Sequence, residues 1–387
     1  MSILFIPILL LLLILLEQAI YERFWNRGLS SRITFQSRPV TEGDTAVLTE
    51  VITNRSRIPL PVLQVNFQLG RGILVTGTEN VTVSDKTNMT ELFSLRPWQQ
   101  VTRELTLDCR RRGYYRIMGN SLVAGDLFAN QKYYMDVPQE SELYVYPRMI
   151  SAREMEIPFS YLMGEVRSRQ LLYEDAFTFR GIRDYAPTDP MGRINWKASA
   201  RTGDLKVNLR EYTAGQQVVI LLNLEPPRMH YLDAVLEDGI RWALTFAAQL
   251  LSEQIPVGML SNGRDIMSGQ TLRIDPGSSP AHLTVFCEGL ARIDLEQEAE
   301  HFASYLRREV LQNAPETGSA ADGPAETGNV TFVLISPSRQ PETVREVQFL
   351  ADRQGRLLWI CPVTKDPEQE PLEAGHGIEM FAEPLKR

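Results

Sequence analysis

Residues 218–251 read VVILLNLEPPRMHYLDAVLEDGIRWALTFAAQLL, and this stretch decides how the second half of the chain is interpreted. Residues 218–224 are almost all apolar, as expected for a strand that is covered on both faces of a sheet. From Leu232 to Leu251 apolar residues recur at three- and four-residue spacing, which predicts an amphipathic helix. The stretch therefore predicts a buried strand followed by a helix that packs on it.

The same alternation continues toward the C-terminus. Further strands are predicted at 256–260, 330–335 and 357–363, and helical faces at 295–310 and 341–355. Alternating strands and helices favour an α/β doubly wound parallel sheet with helices on both faces. Ligands of such sheets bind beyond the carboxyl ends of the strands.

The first half of the chain has a different pattern. Short runs with period-two alternation lie between turn residues, for example Val47, Thr49, Val51 and Thr53 on one face of a run. Such runs predict an N-terminal all-β sandwich of the immunoglobulin-like kind. The predicted organisation is an anchor at 1–22, a β-sandwich domain at 32–147, a connecting segment at 148–204 and an α/β domain at 205–387.

The N-terminus begins with an apolar segment. Every residue from position 3 to position 16 is apolar, and Glu17 is the first charge. We expect one transmembrane helix at 1–22 that is retained, because no basic residue precedes it and no cleavage site follows it. Tyr21, Phe24 and Trp25 would form an aromatic belt. The arginines after the span predict a single-pass protein of the cell membrane with a cytoplasmic body, and an uncleaved export signal is the alternative.

Charge and cysteine content limit the function classes. The formal net charge of −8 argues against general nucleic-acid binding, which needs a surplus of basic residues. The three cysteines are far apart and lack metal-ligand spacing, so neither a disulfide framework nor a zinc site is indicated. No nucleotide-binding loop or serine-hydrolase elbow is present. We therefore predict no catalytic residues, no metal, no cofactor and no small-molecule substrate.

The connecting segment holds the most specific pattern of the chain. Residues 177–212 read FTFRGIRDYAPTDPMGRINWKASARTGDLKVNLREY. The segment resembles the signature of domain-of-unknown-function family fifty-eight, R-x-Y-x-x-x-D-x-x-R-x-I-x-W-x-x-x-A-R. The matching residues are Arg183, Tyr185, Asp189, Arg193, Ile194, Trp196, Ala200 and Arg201. Residues 110–116, 126–128 and 145–148 are also similar to the family.

This resemblance implies an architecture and a partner. Family members are membrane-anchored, with a β-rich domain before a von Willebrand factor type A-like domain, and many are encoded near MoxR-type AAA+ ATPases. The resemblance implies a role in the assembly or maturation of other proteins. Two features depart from the pattern: there is one apolar segment rather than a pair, and residues 223–227 read NLEPP in place of the metal-binding D-x-S-x-S.

Two groups of residues are candidate binding sites. The first is formed by the signature residues Arg183, Tyr185, Asp189, Arg193, Trp196 and Arg201. Its charged members, together with Asp184, form either a partner-docking or anion-binding surface or an ion-pair network that fastens the segment between the two domains. Trp196 is predicted to be a core or interdomain anchor rather than a ligand stacker. The second group is a strand-end crevice formed by Asn223, Glu225, Ser261, Asn262 and Ser336.

Three functions remain open at this stage. The leading hypothesis is a membrane-anchored, non-enzymatic interaction or assembly factor that works with a MoxR-type AAA+ ATPase. The first alternative is a metal-dependent ligand-binding or adhesion module of the type A kind. The second is an enzyme of unrecognised type, which a crevice of perturbed acidic or basic groups would reveal.

Overall fold

The computed structural model describes the chain except for residues 1, 37, 77–80, 84–86, 128–130, 173–178, 186–193, 211–216, 227–232, 313–329, 355, 364–376 and 385–387. The chain divides into two compact units, Met1–Arg148 and Met149–Arg387. The first is rich in β-structure, and the second contains strands and helices.

The first unit begins with one helix, α1 (Ser2–Phe24), and continues with ten strands. The strands are β1 (Leu29–Phe35), β2 (Val40–Thr41), β3 (Thr45–Asn54), β4 (Leu60–Leu69), β5 (Ile73–Val75), β6 (Val81–Val83), β7 (Thr87–Leu95), β8 (Gln99–Cys109), β9 (Gly113–Gly125) and β10 (Lys132–Tyr146). They form a four-stranded sheet in the order β1-β3-β8-β5 and a six-stranded sheet in the order β2-β10-β9-β4-β7-β6.

The two sheets share one hydrophobic core. Strand β3 alternates between buried and half-buried positions along almost its whole length, with Leu48 and Ile52 fully buried. Leu63 and Val65 of β4 and Leu122 of β9 belong to the same cluster. Because successive side chains point to opposite faces of a strand, this alternation buries one face of each sheet against the other. The unit is a β-sandwich.

The predicted transmembrane anchor and the predicted membrane location are wrong. Among the residues that the structure describes, no helix is both long and apolar enough to cross a membrane. The apolar run ends at Glu17 and is shorter than the roughly 20 residues that a span needs.

The predicted aromatic belt is wrong as well, because Tyr21 and Trp25 are buried in the core of the sandwich. The hydroxyl of Tyr21 donates a 2.6 Å hydrogen bond to the carbonyl of Pro59. The ring of Trp25 stacks on Tyr133 with 5.8 Å between centroids. Tyrosine and tryptophan combine an apolar ring with one polar group, so they suit a membrane boundary and the edge of a protein core alike. Their presence in the sequence therefore does not distinguish the two locations.

The second unit contains six helices and nine strands in the described residues. The helices are α2 (Ala152–Leu172), α3 (Trp196–Thr202), α4 (Asp233–Ser252), α5 (His282–Arg292), α6 (Phe302–Leu306) and α7 (Pro341–Gln354). A π-helical turn, Arg307–Gln312, extends α6. The strands are β11 (Phe179–Asp184), β12 (Lys206–Arg210), β13 (Gln217–Leu222), β14 (Val257–Asp265), β15 (Thr271–Gly277), β16 (Ile293–Asp294), β17 (Val330–Ile335), β18 (Leu357–Val363) and β19 (Ile378–Pro384).

Seven of these strands form one sheet in the order β15-β14-β13-β17-β18-β19, with β16 paired to β14. The central strands β14, β13, β17, β18 and β19 are parallel. Trp359, Leu334 and Leu350 lie in a core cluster of this unit together with Phe302 of α6. Strands β11 and β12 form a separate antiparallel pair.

The predicted doubly wound parallel sheet of von Willebrand factor type A-like kind is corrected. The sheet is mixed, because β15 and β16 run antiparallel to β14. Only five residues separate β14 from β15, and the Asp265 carboxylate caps that turn by accepting bonds from the amides of Met267 and Ser268. A connection this short cannot join parallel strands, which need a crossover of a dozen residues or more. Of the predicted fold class, the N-terminal β-sandwich is confirmed, whereas the transmembrane helix and the doubly wound type A-like sheet are wrong.

Some predictions of individual helices and strands are confirmed, and others are not. The helix predicted at 341–355 is confirmed as α7, which has proline as its first residue. The long helix α2 and the last strand β19 were not predicted. The helical face at 295–310 shortens to α6 and its π-helical turn.

Candidate functional site

Helix α3 is the centre of the signature segment, and short-range hydrogen bonds hold it in place. The Asn195 side chain caps its start by accepting a 2.9 Å bond from the amide of Ala198. The Ser199 hydroxyl donates to the Asn195 carbonyl and accepts from the amide of Lys206 at 2.8 Å. Gly203 ends the helix with a φ of +82°, the left-handed conformation that suits glycine. The helix is therefore capped at both ends, and Asn195 and Ser199 tie it to Lys206 of strand β12.

Four of the described side chains on α3 are exposed, and two of them, Trp196 and Arg201, belong to the predicted binding group. Trp196 is 67% exposed and Arg201 is also exposed, with Lys197 beside them. The predicted core position of Trp196 is therefore wrong. Among the described residues of this segment, Ile194 and Val207 are buried instead, and they form a β-bridge with each other. The sequence, with a tryptophan among basic residues, did not show which apolar side chain of the segment would be buried.

The remaining signature residues are placed as follows. Arg183 lies on β11 in register with Val207 of β12, and Tyr185 follows it with its amide bonded to the carbonyl of Leu205 at 2.9 Å. Asp189 and Arg193 lie outside the described residues. The structure thus places Arg183, Tyr185, Trp196 and Arg201 on one β-hairpin and its adjoining helix.

An ion pair lies in the same segment. The ammonium group of Lys206 contacts the carboxylate of Asp184 across the β11–β12 pair. The hydrogen bond to Asp184 raises the pKa of Lys206. Asp184 is largely exposed, and exposed pairs contribute little to stability. Asp184 was predicted to belong to an ion-pair network, but Lys206 was not among the predicted partners.

The strand-end residues of the second candidate site meet in one buried network. Asn223 lies just after β13 and donates a 2.9 Å bond from Nδ2 to the Ser336 hydroxyl, which follows β17. The Ser336 hydroxyl then donates to the carbonyl of Ser338 at 3.0 Å. Asn223 and Ser336 are fully buried. Parallel strands end at a common edge, so residues more than a hundred positions apart come into contact there.

Asn262 completes this network. Its Oδ1 accepts a 2.8 Å bond from the amide of Leu224, and its Nδ2 donates to Asn223 Oδ1 at 3.1 Å and to the carbonyl of Glu300 at 2.7 Å. Ser261 accepts from the amide of Gly263 at 3.1 Å. The side-chain amides of Asn223 and Asn262 therefore form hydrogen bonds with other groups of the protein.

Glu225 is the one acidic member of the strand-end group. Its Oε2 accepts a 3.1 Å bond from the amide of Phe302 at the start of α6. Its Oε1 lies 3.9 Å from Nε2 of His301, and the same nitrogen lies 3.5 Å from Glu342. No sequence pattern predicted these contacts of His301 with two carboxylates.

This geometry determines what the strand-end group can do. Its amides and hydroxyls are buried and bonded to one another, which suits fixing three loops rather than binding a ligand. In the part of the chain that the structure describes, no three His, Cys, Asp or Glu side chains are grouped as metal ligands. Of the two candidate groups, the one on α3 has exposed side chains, at Trp196 and Arg201, that are able to contact another molecule.

Comparisons with known proteins give no family. No protein-family model and no curated protein matches the chain. Similar solved structures include domains D2 and D3 of the major pilin SpaD from Corynebacterium diphtheriae, at 12% identity and a TM-score of 0.23 over 30% of this chain. The chain spans 52% of that structure.

Two cohesin structures are also similar. A cohesin module of a Clostridium perfringens family 33 glycoside hydrolase has 12% identity and a TM-score of 0.22, over 31% of this chain and 98% of the module. A non-cellulosomal cohesin from Archaeoglobus fulgidus has 10% identity and a TM-score of 0.21, over 33% of this chain and 96% of that one. These scores are too low to assign a fold or a function.

Proposed function

We propose that this chain is a non-enzymatic interaction or assembly factor that works with an AAA+ ATPase of the MoxR type. The observation that carries the proposal is the exposure of Trp196 on a helix that is fixed at both ends. The choice of ATPase rests on the resemblance of residues 183–201 to family fifty-eight.

The chemistry of α3 supports a protein partner. Trp and Arg are the residues that contribute most often to the energy of protein interfaces, because each buries a large surface and can make a directed polar contact. Trp196, Lys197 and Arg201 combine an indole with two cations within six residues. A partner surface that accepts them would offer an apolar pocket beside acidic side chains.

The rigidity of the segment supports the same role. Asn195, Ser199 and Gly203 hold the helix, so its side chains lose little backbone freedom when they meet a partner. Contacts made by a fixed helix are more precise than contacts made by a loop.

Binding of the full-length chain to a purified MoxR-type ATPase of the same organism tests this function. We expect saturable binding that Trp196→Ala or Arg201→Glu weakens at least about tenfold, the loss typical of an interface residue worth more than 1 kcal/mol. Trp98→Ala is the matched control, because Trp98 is also 67% exposed but lies in the first unit.

Two outcomes would contradict parts of this proposal. If the wild-type chain does not bind the ATPase, the assembly function with this partner is rejected. If binding is strong but Trp98→Ala and Trp196→Ala weaken it equally, the partner does not use α3. Circular dichroism of each variant checks that the fold is unchanged.

A further inference from the structure

Glu50 is an acidic residue in the interior of the β-sandwich. It lies in the middle of β3, on the same face as the buried side chains of Leu48 and Ile52, and is only 1% exposed. Among the described residues, neither of its carboxyl oxygens has a hydrogen-bond partner. A buried carboxylate without a partner is costly, because it loses its hydration and gains nothing in return.

Two other charged side chains lie near Glu50. Arg103 of β8 is opposite Glu50 in the β3–β8 ladder, and Glu91 of β7 belongs to the other sheet. Arg103 forms its ion pair with Glu91, whose side chain is 8% exposed. On the other side of β3, the residue opposite Glu50 is the buried Ile33 of β1. Two carboxyl groups therefore share one guanidinium, and one of them needs a proton to be neutral.

The electrostatics agree with this count. Burial and, to a lesser degree, the nearby Glu91 raise the pKa of Glu50, Arg103 opposes them, and the resulting pKa is about 7. Because the side chain keeps its proton when the sandwich is closed and loses it in the unfolded chain, the closed state binds more protons between about pH 4.5 and pH 7. The β-sandwich is therefore most stable at acidic pH, and the contribution of protonated Glu50 to its stability is lost as the pH rises through neutrality.

We propose that Glu50 is a proton-operated switch of the β-sandwich. The two sheets are closed around β3, β7 and β8 when Glu50 is a neutral acid. When Glu50 ionises, its charge has no cation of its own, and these strands open more often. The switch lies in the first unit and is independent of the binding surface on α3.

Hydrogen exchange of the full-length chain, followed by mass spectrometry, tests this switch. After correction for the intrinsic pH dependence of exchange, opening of β3 should increase on the order of 100-fold between pH 5 and pH 8. Peptides from β13 and β18 in the same sample serve as the internal reference, and their corrected exchange should stay nearly constant.

Three variants separate the switch from general effects of charge. Glu50→Gln keeps the shape without the titration, so its corrected exchange should not depend on pH. Glu91→Gln leaves Arg103 available to Glu50 and should reduce the pH dependence of β3 strongly. Glu104→Gln changes an exposed residue of the same strand β8 and should behave like the wild type.

The proposal is overturned if wild-type β3 shows no change in corrected exchange from pH 5 to pH 8. It is also overturned if Glu50→Gln retains the wild-type pH dependence. Infrared spectroscopy gives a second measurement: the band of a protonated carboxyl group should be present at pH 6 in the wild type and absent in Glu50→Gln. A wild-type spectrum at pH 6 without this band rejects the switch even if a variant does not fold.

Discussion

The two units each bury a polar cluster, but they satisfy it differently. In the second unit, Asn223 and Asn262 carry both donors and acceptors, so they bond to each other and to neighbouring backbone groups. In the first unit, Glu50 and Glu91 can only accept when ionised, and Arg103 is bonded to one of them. Buried amides can complete a network by themselves, whereas buried carboxylates depend on cations or protons.

Not every buried polar group of the second unit has a hydrogen-bond partner. The hydroxyls of Ser338 and Thr343 are buried without a hydrogen-bond partner in the described residues. Hydroxyls cost less than a carboxylate when they are unpaired, so the second unit tolerates them without any response to pH. We therefore expect these hydroxyls to add no pH dependence to the stability of the second unit.

The largest effect is expected for Asn262→Ala, which breaks the satisfied network. Three hydrogen bonds are lost, and the amide of Leu224 and the carbonyl of Glu300 are left buried without this partner. We expect the second unit to lose about 3–5 kcal/mol of unfolding free energy, the sum of several unsatisfied buried groups. Urea unfolding measures it, and the exposed Gln297→Ala should change stability by less than about 0.5 kcal/mol.

If Asn262→Ala and Gln297→Ala have similar unfolding midpoints, the network does not support the loops that it joins. In that case the buried hydrogen bonds of Asn262 would not stabilise the second unit more than an exposed side chain does.

A smaller effect is expected for Arg103→Leu, which removes the cation of the unsatisfied cluster. The guanidinium is 40% exposed, so we expect a loss of about 1–2 kcal/mol at pH 8, below the value for a fully buried pair. The loss should be smaller at pH 5, because Glu50 is protonated there and does not need a cation. Urea unfolding at both pH values gives the difference, and an equal loss at both would show that Arg103 does not interact with ionised Glu50.

The smallest effect is expected for Trp359→Phe. The indole of Trp359 donates a 3.0 Å bond from Nε1 to the carbonyl of Ser336, at the edge of the strand-end network. Phenylalanine keeps most of the apolar contact, so the loss should be about 1 kcal/mol and independent of pH. Thermal unfolding at pH 5 and pH 8 checks both statements, and a clear pH dependence would contradict a purely structural role.

Several parts of the fold could be predicted from local patterns. The alternation at residues 46–53 predicted a strand, and helix α7 followed from its apolar spacing and its initial proline. These features depend on neighbours within a few residues along the chain. The helix α2 was missed because its exposed positions include the apolar Ile157, and its interior includes Pro158, which blur the helical period.

The candidate sites were predicted less completely. The sequence brought Asn223, Asn262 and Ser336 together through the rule that parallel strands end at one edge, but it could not show that they would be buried and bonded to each other. The sequence did not single out Glu50, because Glu50 is one of several polar residues in the alternating run at residues 46–53. A glutamate on the inner face of a strand is a visible signal only when the inner face is already known.

By itself, the sequence determined where several elements form, such as β3, β13 and α7, because these follow from the periodic spacing of apolar residues. Only the tertiary structure decided which side chains are covered. Tyr21 is buried and bonded to Pro59, 38 residues away, whereas Trp196 is exposed although Ile194, two residues before it, is buried and bridged to Val207. Burial depends on partners that are distant in the chain, and local spacing does not encode them.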